Sequence, residues 1–241
     1  MSMKRLYPDR LLSSTNSMGE RLVSELRIRI ISQDIPKESV LSENQIAKEY
    51  QVSRSPVREA LKVLEREGLV RLGRMGAIVI GISEKDIEEI YDIRLLIETF
   101  VTGRLLVSHN DALLNELRKV LEMMKIAIKY GDVDEFSFKD IEFHEIIIKS
   151  INHQQILMVW NQLRPVMECL ILLSMRYRSK VNYEDFDRIL ENHELIIEAL
   201  STKDSKLMDK AFYSNFGDVQ NRVEELWTNA EMMKKARDYD G

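Results

Sequence analysis

The sequence predicts a mainly α-helical protein in two parts, a small N-terminal domain of helices with one β-hairpin and then an all-α antiparallel helical bundle. Three observations predict this class. Apolar residues make up 44% of the 241 residues, enough to bury a real core, and only 4 Pro and 9 Gly interrupt the chain. Apolar positions recur at helical spacing over most of the length. A chain of this length also favours two domains over one.

Charge is divided unevenly along the chain. Residues 1–80 carry 14 basic and 10 acidic side chains, a net charge of +4, whereas the remainder carries 21 and 30, a net charge of −9. A basic N-terminal part on an acidic remainder indicates that only the first part meets a polyanion such as nucleic acid. Charge alone leaves chance segregation open as the alternative.

The cysteine count and the apolar runs indicate a cytoplasmic protein without a membrane partner. Cys169 is the single cysteine, which excludes an internal disulfide framework and any multi-cysteine zinc site. The longest apolar run, residues 165–175, contains Glu168 and is too short to cross a bilayer. The N-terminus lacks the apolar stretch of a signal peptide.

The N-terminal part begins with a polar, Ser-rich stretch, residues 1–17, which we expect to be a flexible arm. Helical spacing of apolar residues predicts a first helix over 18–31. Ser42, with Gln45 three residues later, predicts a capping box at the start of a short second helix.

A third helix and a hairpin complete this part. Ser53 begins the helix, with Pro56 in its first turn and Gly68 just beyond its end. Two short apolar runs, 69–72 and 77–81, flank a turn that contains glycine and predict a β-hairpin. It is the one strand pair that the sequence predicts.

Three helices followed by a hairpin are the layout of a winged helix-turn-helix domain, here over residues 18–81. The third helix of such a domain enters the major groove with its N-terminus first. Arginine there can bind guanine or phosphate, and serine can donate to either. A surface helix with solvated arginines is the alternative, but it does not explain why basic and small polar residues crowd one end. The candidate DNA contacts are Ser53, Arg54, Ser55 and Arg58 on the helix and Arg71 and Arg74 on the hairpin.

From Ser83 onward the pattern predicts six helices joined by short loops, which indicates an antiparallel bundle over residues 82–241. On the third of these helices, Asp140 and His144 are four residues apart and so lie on one face. Oxygen and imidazole ligands at this spacing can share one metal, and His193 on the fifth helix could join them inside the bundle. The alternative is a surface hydrogen bond between Asp140 and His144.

Three runs in the N-terminal part carry a family resemblance: LSENQIA (41–47), SRSPVREAL (53–61) and LEREGLV (64–70). Together they closely resemble the DNA-binding domain of GntR-type bacterial transcription regulators, over about residues 15–81. The resemblance implies an operator-binding domain.

The same resemblance implies roles for single residues. Arg54 would contact a base edge. Asn44 stands where many members have arginine, which would change operator preference, and Gly76 matches the place where the wing backbone approaches DNA. The other implied contacts to bases or backbone are Ser53, Ser55 and Arg58.

The bundle resembles the FCD effector domain, which accompanies GntR domains of the FadR type. Residues 136–144 resemble its metal-site helix and residues 91–98 its opening helix. In many members one Asp and three His hold a divalent metal. Asp140, His144 and His193 match the first three ligands.

Asn215 stands where the family has its last histidine, and an amide oxygen is a weak ligand for zinc or nickel but acceptable to harder cations. Three interpretations stay open. The other three residues could hold zinc, nickel or manganese together with water or effector, the site could prefer a different ion, or it could hold none, with Asn215 hydrogen-bonded to the effector.

Members of this family sense small organic acids, sugar acids or amino acids. Arg94 matches a pocket-facing arginine that could pair with an effector carboxylate. An ion pair with Glu98, four residues later on the same helix, is the alternative, and the two roles can coexist.

The sequence and this resemblance predict a ligand-responsive regulator that binds a palindromic operator as a homodimer. The resemblance favours a repressor that its ligand releases, because this is the commoner behaviour in the family. One alternative is a metal-dependent enzyme, which would need a general acid or base beside the metal. Glu142 and Glu145 point away from the metal-site face, so we expect no enzyme. The other is a non-specific architectural DNA-binding protein, which the specific third helix argues against.

Overall fold

The computed structural model describes residues 6–8, 17–74, 76–108, 111–212 and 230–239. The chain divides into two compact units, Met1–Ser83 and Glu84–Gly241. Both are built mainly of helices, and the first also holds a small antiparallel sheet. The predicted fold class, a mainly α protein with a winged helix-turn-helix followed by a helical bundle, is confirmed.

The first two helices of the N-terminal unit begin differently from one another. Helix α1 (Met18–Ile31) begins with a capping box in which Ser17 Oγ accepts from Glu20 N at 3.2 Å and the Glu20 carboxylate accepts from Ser17 N at 2.6 Å. Helix α2 (Glu43–Glu49) follows Ser42, whose side chain makes no capping hydrogen bond. The capping box predicted at Ser42 was therefore wrong, although the helix begins there.

Helix α3 (Arg54–Arg66) packs on α1 and forms the core of the unit with it. It ends before Gly68, which adopts a left-handed φ of 75° that favours glycine. The apolar side chains buried between these helices include Leu22, Leu26, Ile30, Val57, Leu61 and Leu64.

The sheet has three short antiparallel strands, β1 (Val40–Leu41), β2 (Val70–Gly73) and β3 (Gly76–Val79), in the order β1-β3-β2. The predicted hairpin is β2 and β3. Two residues are too few to show alternation in a sequence, so β1 was missed. Gly76 has φ 133°, and a Cβ there would collide with the carbonyl oxygen of Leu41, so this glycine is needed for β1 to lie against β3.

Part of the N-terminal segment is held against the unit. The Glu25 carboxylate accepts hydrogen bonds from the backbone N of Leu6 at 3.1 Å and of Tyr7 at 3.0 Å, and Tyr7 is buried. A buried glutamate needs such partners. The prediction of a flexible arm over residues 1–17 is therefore wrong for residues 6–8, and most of that arm lies outside the described residues.

The second unit is all-helical in its described part. Helix α5 (Asp111–Lys129) packs against α6 (Val133–Ser150) and α8 (Asp185–Thr202), while α7 (Gln154–Val181) packs against α6 and α10 (Ala230–Arg237). The helix predicted from about 203 to beyond Trp227 begins two residues later and is helical over 205–212, while residues 213–229 lie outside the described residues. The other helices in the described part of the unit are α4 (Glu84–Leu105) and α9 (residues 205–212).

Helix α7 is long and apolar enough, by length and composition alone, to cross a membrane, although the apolar run within it was predicted to be too short. Trp160 and Met167 on this helix are fully buried in the core of the unit. Arg176 donates from Nε and Nη2 to the buried carboxylate of Asp134, at 2.7 and 2.9 Å. Packing within the unit therefore accounts for part of the apolar surface of α7.

Candidate DNA-binding surface and candidate metal and effector site

The N-terminal end of α3 presents the predicted DNA contacts to solvent. Ser53, Arg54, Ser55 and Arg58 are all exposed, whereas the opposite face of α3 is buried in the core. Ser53 precedes the helix without a side-chain capping hydrogen bond. The helix N-terminus therefore keeps N–H groups for an anion, next to two guanidinium groups.

Glu43, in the first turn of α2, accepts hydrogen bonds from both arginines, a contact that was not predicted from the sequence. Arg58 donates to its carboxylate from Nε at 3.1 Å and from Nη2 at 3.0 Å, and Arg54 donates from Nη2 at 3.0 Å. These hydrogen bonds lower the pKa of Glu43 to about 2. No helix spacing links positions 11 and 15 residues apart, so a sequence pattern could not reveal the contact.

The other predicted DNA contacts lie in the same unit. Asn44 is exposed in the first turn of α2, directly after Glu43. Arg71 and Arg74 are exposed on β2 and in the turn that follows it. Gly76 is half-buried at the start of β3, where contact with β1 already explains the need for glycine.

The second unit brings the three predicted metal ligands together in its interior. Asp140 and His144 come from α6 and His193 from α8, with side chains at most 7% exposed. One ligand atom from each residue can be chosen so that all three lie within 4.8 Å of one another. The geometry therefore forms one compact, buried set of nitrogen and oxygen donors.

Hydrogen bonds orient both imidazole rings. Nδ1 of His144 lies 2.6 Å from Oε2 of Glu98, and Nδ1 of His193 donates to the Ile189 carbonyl at 2.7 Å. A carbonyl only accepts, so Nδ1 of His193 carries a proton, and its Nε2 lies 3.3 Å from Asp140 Oδ1. Nε2 of His144 is buried and has no hydrogen-bond partner among the described residues.

This donor set fits a divalent metal. Two imidazole nitrogens and a carboxylate suit zinc, nickel or manganese, and a carboxylate behind a histidine is a usual support for such a ligand. Asp140, His144 and His193 would hold the ion, with further coordination positions left for water or a ligand. Asn215, the predicted fourth position, lies outside the described residues.

Protonation states in the cluster agree with that arrangement. Burial raises the pKa of Asp140, but its contacts with His193, His144 and Arg94 outweigh burial and lower it to about 2. Burial likewise opposes ionisation of Glu98, and the neighbouring His144 and Arg94 lower its pKa. Burial is the largest effect on His144 and lowers its pKa, which favours the neutral ring that a metal ligand requires.

Arg94 has both geometries that the sequence left open. Its Nε donates to Glu98 Oε1 at 2.7 Å, and the side chain also lines a cavity beside the cluster. The enclosed volume is about 20 Å³, roughly the room that one water molecule needs. The polar residues that line this cavity are Tyr91, Arg94, Asp140, Ser174, Arg178 and Arg188.

Sequence reasoning missed the cavity residues of α7 and α8. Arg178 forms an ion pair with Asp185, and Arg188 Nε donates to the same carboxylate at 2.8 Å. The arginines within the strongly apolar helix α7 could have indicated these contacts, because a buried arginine rarely lacks a charged partner.

The fold and these two sites define a class of protein: a winged helix-turn-helix DNA-binding domain joined to a helical domain with an internal charged cavity. Residues 18–80 match the gntR family of bacterial regulatory proteins, and residues 89–214 match the FCD domain. The chain belongs to the GntR family. The resemblance seen in the sequence is thereby confirmed, and the protein is a transcription regulator and not an enzyme.

Known relatives are similar over nearly the whole chain. The "Gluconate operon transcriptional repressor" of Bacillus licheniformis is 56% identical over 239 residues, covering 99% of this chain and 98% of the relative. The repressor of the same name from Bacillus subtilis (strain 168) is 56% identical over 235 residues, covering 98% and 96%. The solved structure of E. coli McbR/YncC has a TM-score of 0.68 at 20% identity, covering 88% of this chain and 100% of that chain, which shows a shared fold.

Proposed function

We propose that this protein represses an operon for the use of gluconate or a closely similar sugar acid. It binds a palindromic operator as a homodimer through residues 18–81 and releases it when the acid binds within residues 82–241. The observation that carries the proposal is the cavity beside the buried cluster, where a guanidinium, a carboxylate and hydroxyl groups converge. The similarity to two gluconate operon repressors supports it.

The cavity chemistry matches a polyhydroxy carboxylate. Arg94 could pair with a carboxylate end, and Ser174 and Asp140 could hydrogen-bond hydroxyls. The hydroxyl of Tyr91 is buried and has no hydrogen-bond partner among the described residues. A buried hydroxyl without a partner is costly, so a ligand that supplies one binds favourably.

A metal would add to this site. Asp140, His144 and His193 would hold a divalent ion, whose positive charge would favour a carboxylate in the cavity. Asn215 would contact either the ion or the acid. We therefore propose that Arg94, early in the sequence of this domain, and Asn215, late in it, contact the effector.

The size of the cavity suggests how binding could act at a distance. A six-carbon acid is far larger than one water molecule, so the lining side chains must move to admit it. Arg178 and Arg188 line this cavity and are held by Asp185 where α8 begins. Their positive charges would attract the entering acid. An acid that favours the opened arrangement shifts the protein toward it, and operator affinity changes by the same coupling free energy.

On DNA, two copies would place two α3 helices in successive major grooves, about 34 Å apart. Arg54 would contact a base, and Arg58 and Arg74 bases or phosphates. Asn44, Ser53, Ser55 and Gly76 would complete the surface. A regulator of this kind acts in the cytoplasm, where the DNA is.

The test is operator binding in the presence of gluconate. The probe is a duplex enriched from a randomised library by the wild-type protein, followed by fluorescence anisotropy. Gluconate should weaken binding, whereas sorbitol, which lacks the carboxylate, and acetate, which lacks the hydroxyls, should not. Tyr91→Phe should keep operator binding and thermal stability but lose part of the gluconate response. Operator binding that ignores gluconate and other sugar acids would contradict the proposed effector.

A further inference from the structure

The contact between Glu43 and the two α3 arginines lies in the middle of the proposed DNA-binding surface. All three side chains are at least partly open to solvent: Arg54 is 60%, Arg58 55% and Glu43 23% exposed. An acidic residue at such a place opposes the approach of phosphates. If Glu43 contributes to DNA binding, its favourable effect must outweigh this repulsion.

The hydrogen bonds leave a specific part of each guanidinium for DNA. Arg58 turns its Nε–Nη2 edge to Glu43, in the bidentate geometry of arginine with carboxylate. Nη1 and the second hydrogen of Nη2 then form the end-on edge that is left for a phosphate or for O6 and N7 of guanine. Arg54 uses a single Nη2 hydrogen bond to the same carboxylate.

Resting on the proposed DNA-binding function, we infer that Glu43 is a positioning residue for operator recognition, one that holds Arg54 and Arg58 in the orientation that contacts bases. Two flexible side chains are ordered by one carboxylate before DNA arrives. Less conformational freedom is then lost when the specific contacts form. Non-specific binding needs only positive charge near phosphates, so it gains nothing from the orientation.

A simple repulsive role predicts something different. If Glu43 only repelled phosphates, removing its charge would strengthen binding to every duplex by the same factor. If Glu43 orients the arginines, removing its charge weakens binding to the operator and leaves non-specific binding unchanged or stronger. The ratio of the two affinities separates the roles.

Three variants make the test, each compared with the wild type on the enriched duplex and on a scrambled duplex of the same composition. Glu43→Gln removes the charge and the orienting carboxylate. Glu59→Gln is the matched control, because Glu59 is an exposed carboxylate on α3 that pairs with Lys62 at 2.8 Å and contacts neither arginine in the hydrogen bonds described. Glu43→Asp keeps the charge on a shorter side chain.

We expect Glu43→Gln to weaken operator binding about tenfold, in the lower part of the range for one lost bidentate base contact, with scrambled-duplex binding unchanged or up to about threefold stronger. Glu59→Gln should strengthen both slightly and equally. Glu43→Asp should recover part of the specificity, and far-UV circular dichroism and melting temperature should match the wild type.

Equal affinity ratios for Glu43→Gln and Glu59→Gln would overturn the inference. So would a Glu43→Gln variant that binds both duplexes more tightly by one factor, since that is the repulsive role. A wild-type protein that does not distinguish the two duplexes would instead overturn the proposed operator recognition itself.

Discussion

Arginine–carboxylate contacts occur in both units of this protein, at opposite extremes of exposure. Arg54 and Arg58 meet Glu43 at the surface, with more than half of each arginine side chain exposed. Arg94 meets Glu98 in the interior, where the side chains are 4% and 0% exposed. Exposed pairs exchange partners easily because water and salt compensate for the loss, whereas a buried pair needs each of its members.

The difference teaches what each contact can be used for. At the surface the carboxylate can share its arginines with DNA at little cost in folding stability. In the interior the same chemistry, joined by Asp140, His144 and His193, keeps a fixed set of charges ready for a metal or an acid. Four predictions test this contrast, from the largest expected effect to the smallest.

Arg94→Met breaks the buried pair and leaves the Glu98 carboxylate with His144 alone. Because an uncompensated buried charge is strongly destabilising, the free energy of unfolding should fall by about 3–5 kcal/mol. Urea titration followed by circular dichroism measures it. Arg58→Met, the same change in the exposed pair, is the control and should not move the midpoint. Equal midpoints for the two variants would contradict the contrast.

Adding metal should stabilise the interior. Zinc, nickel or manganese at 100 times its Kd should raise the free energy of unfolding by about 2.7 kcal/mol, if it binds only the folded chain. Equilibrium dialysis should give about one ion per chain.

His193→Gln should abolish both metal effects. His153→Gln is the matched control, because His153 caps the start of α7 by accepting from Ile156 N at Nδ1 and lies outside the cluster. Stabilisation that survives His193→Gln would place the ion elsewhere.

Acid should remove part of the interior's stability in the metal-free protein. The folded-state pKa of Asp140 is about 2, below its ordinary value of 3.8, so its ionised form is stabilised by folding. This contribution, about 2 kcal/mol, is present above about pH 4 and lost as the pH falls toward 2.

Urea midpoints measured in steps from pH 5 to pH 2.5, with a chelator present, follow this loss. Asp140→Asn should flatten the pH dependence over that interval, and Asp111→Asn, at an exposed position, should leave the slope as it is. An unchanged slope for Asp140→Asn would refute the assignment.

Glu43→Gln should have the smallest effect on stability, with no measurable shift of the unfolding midpoint, because the contact is exposed to solvent. The same urea titration serves for this variant. A loss as large as that of Arg94→Met would mean that Glu43 holds the N-terminal unit together, and its role on DNA would then be secondary.

Particular elements show which features a sequence can predict. Helix α1 has the predicted bounds, because its periodic apolar face is packed on α3 and both are long enough to show the period. Strand β1 and the docking of residues 6–8 on Glu25 were missed, since both depend on contacts with distant parts of the chain. The capping box formed at Ser17 and not at Ser42, although both residues have an extended backbone.

The sequence by itself determined the helices, the hairpin, the family, and the shared face of Asp140 and His144, since all of these are local patterns of spacing and residue type. Only the tertiary structure decided that Glu98, 46 residues before His144, lies beside it, and that Glu43 joins Arg54 and Arg58. The physical reason is that these contacts cross between helices. Their distances depend on how whole helices pack, and packing follows from the entire core and not from any one segment.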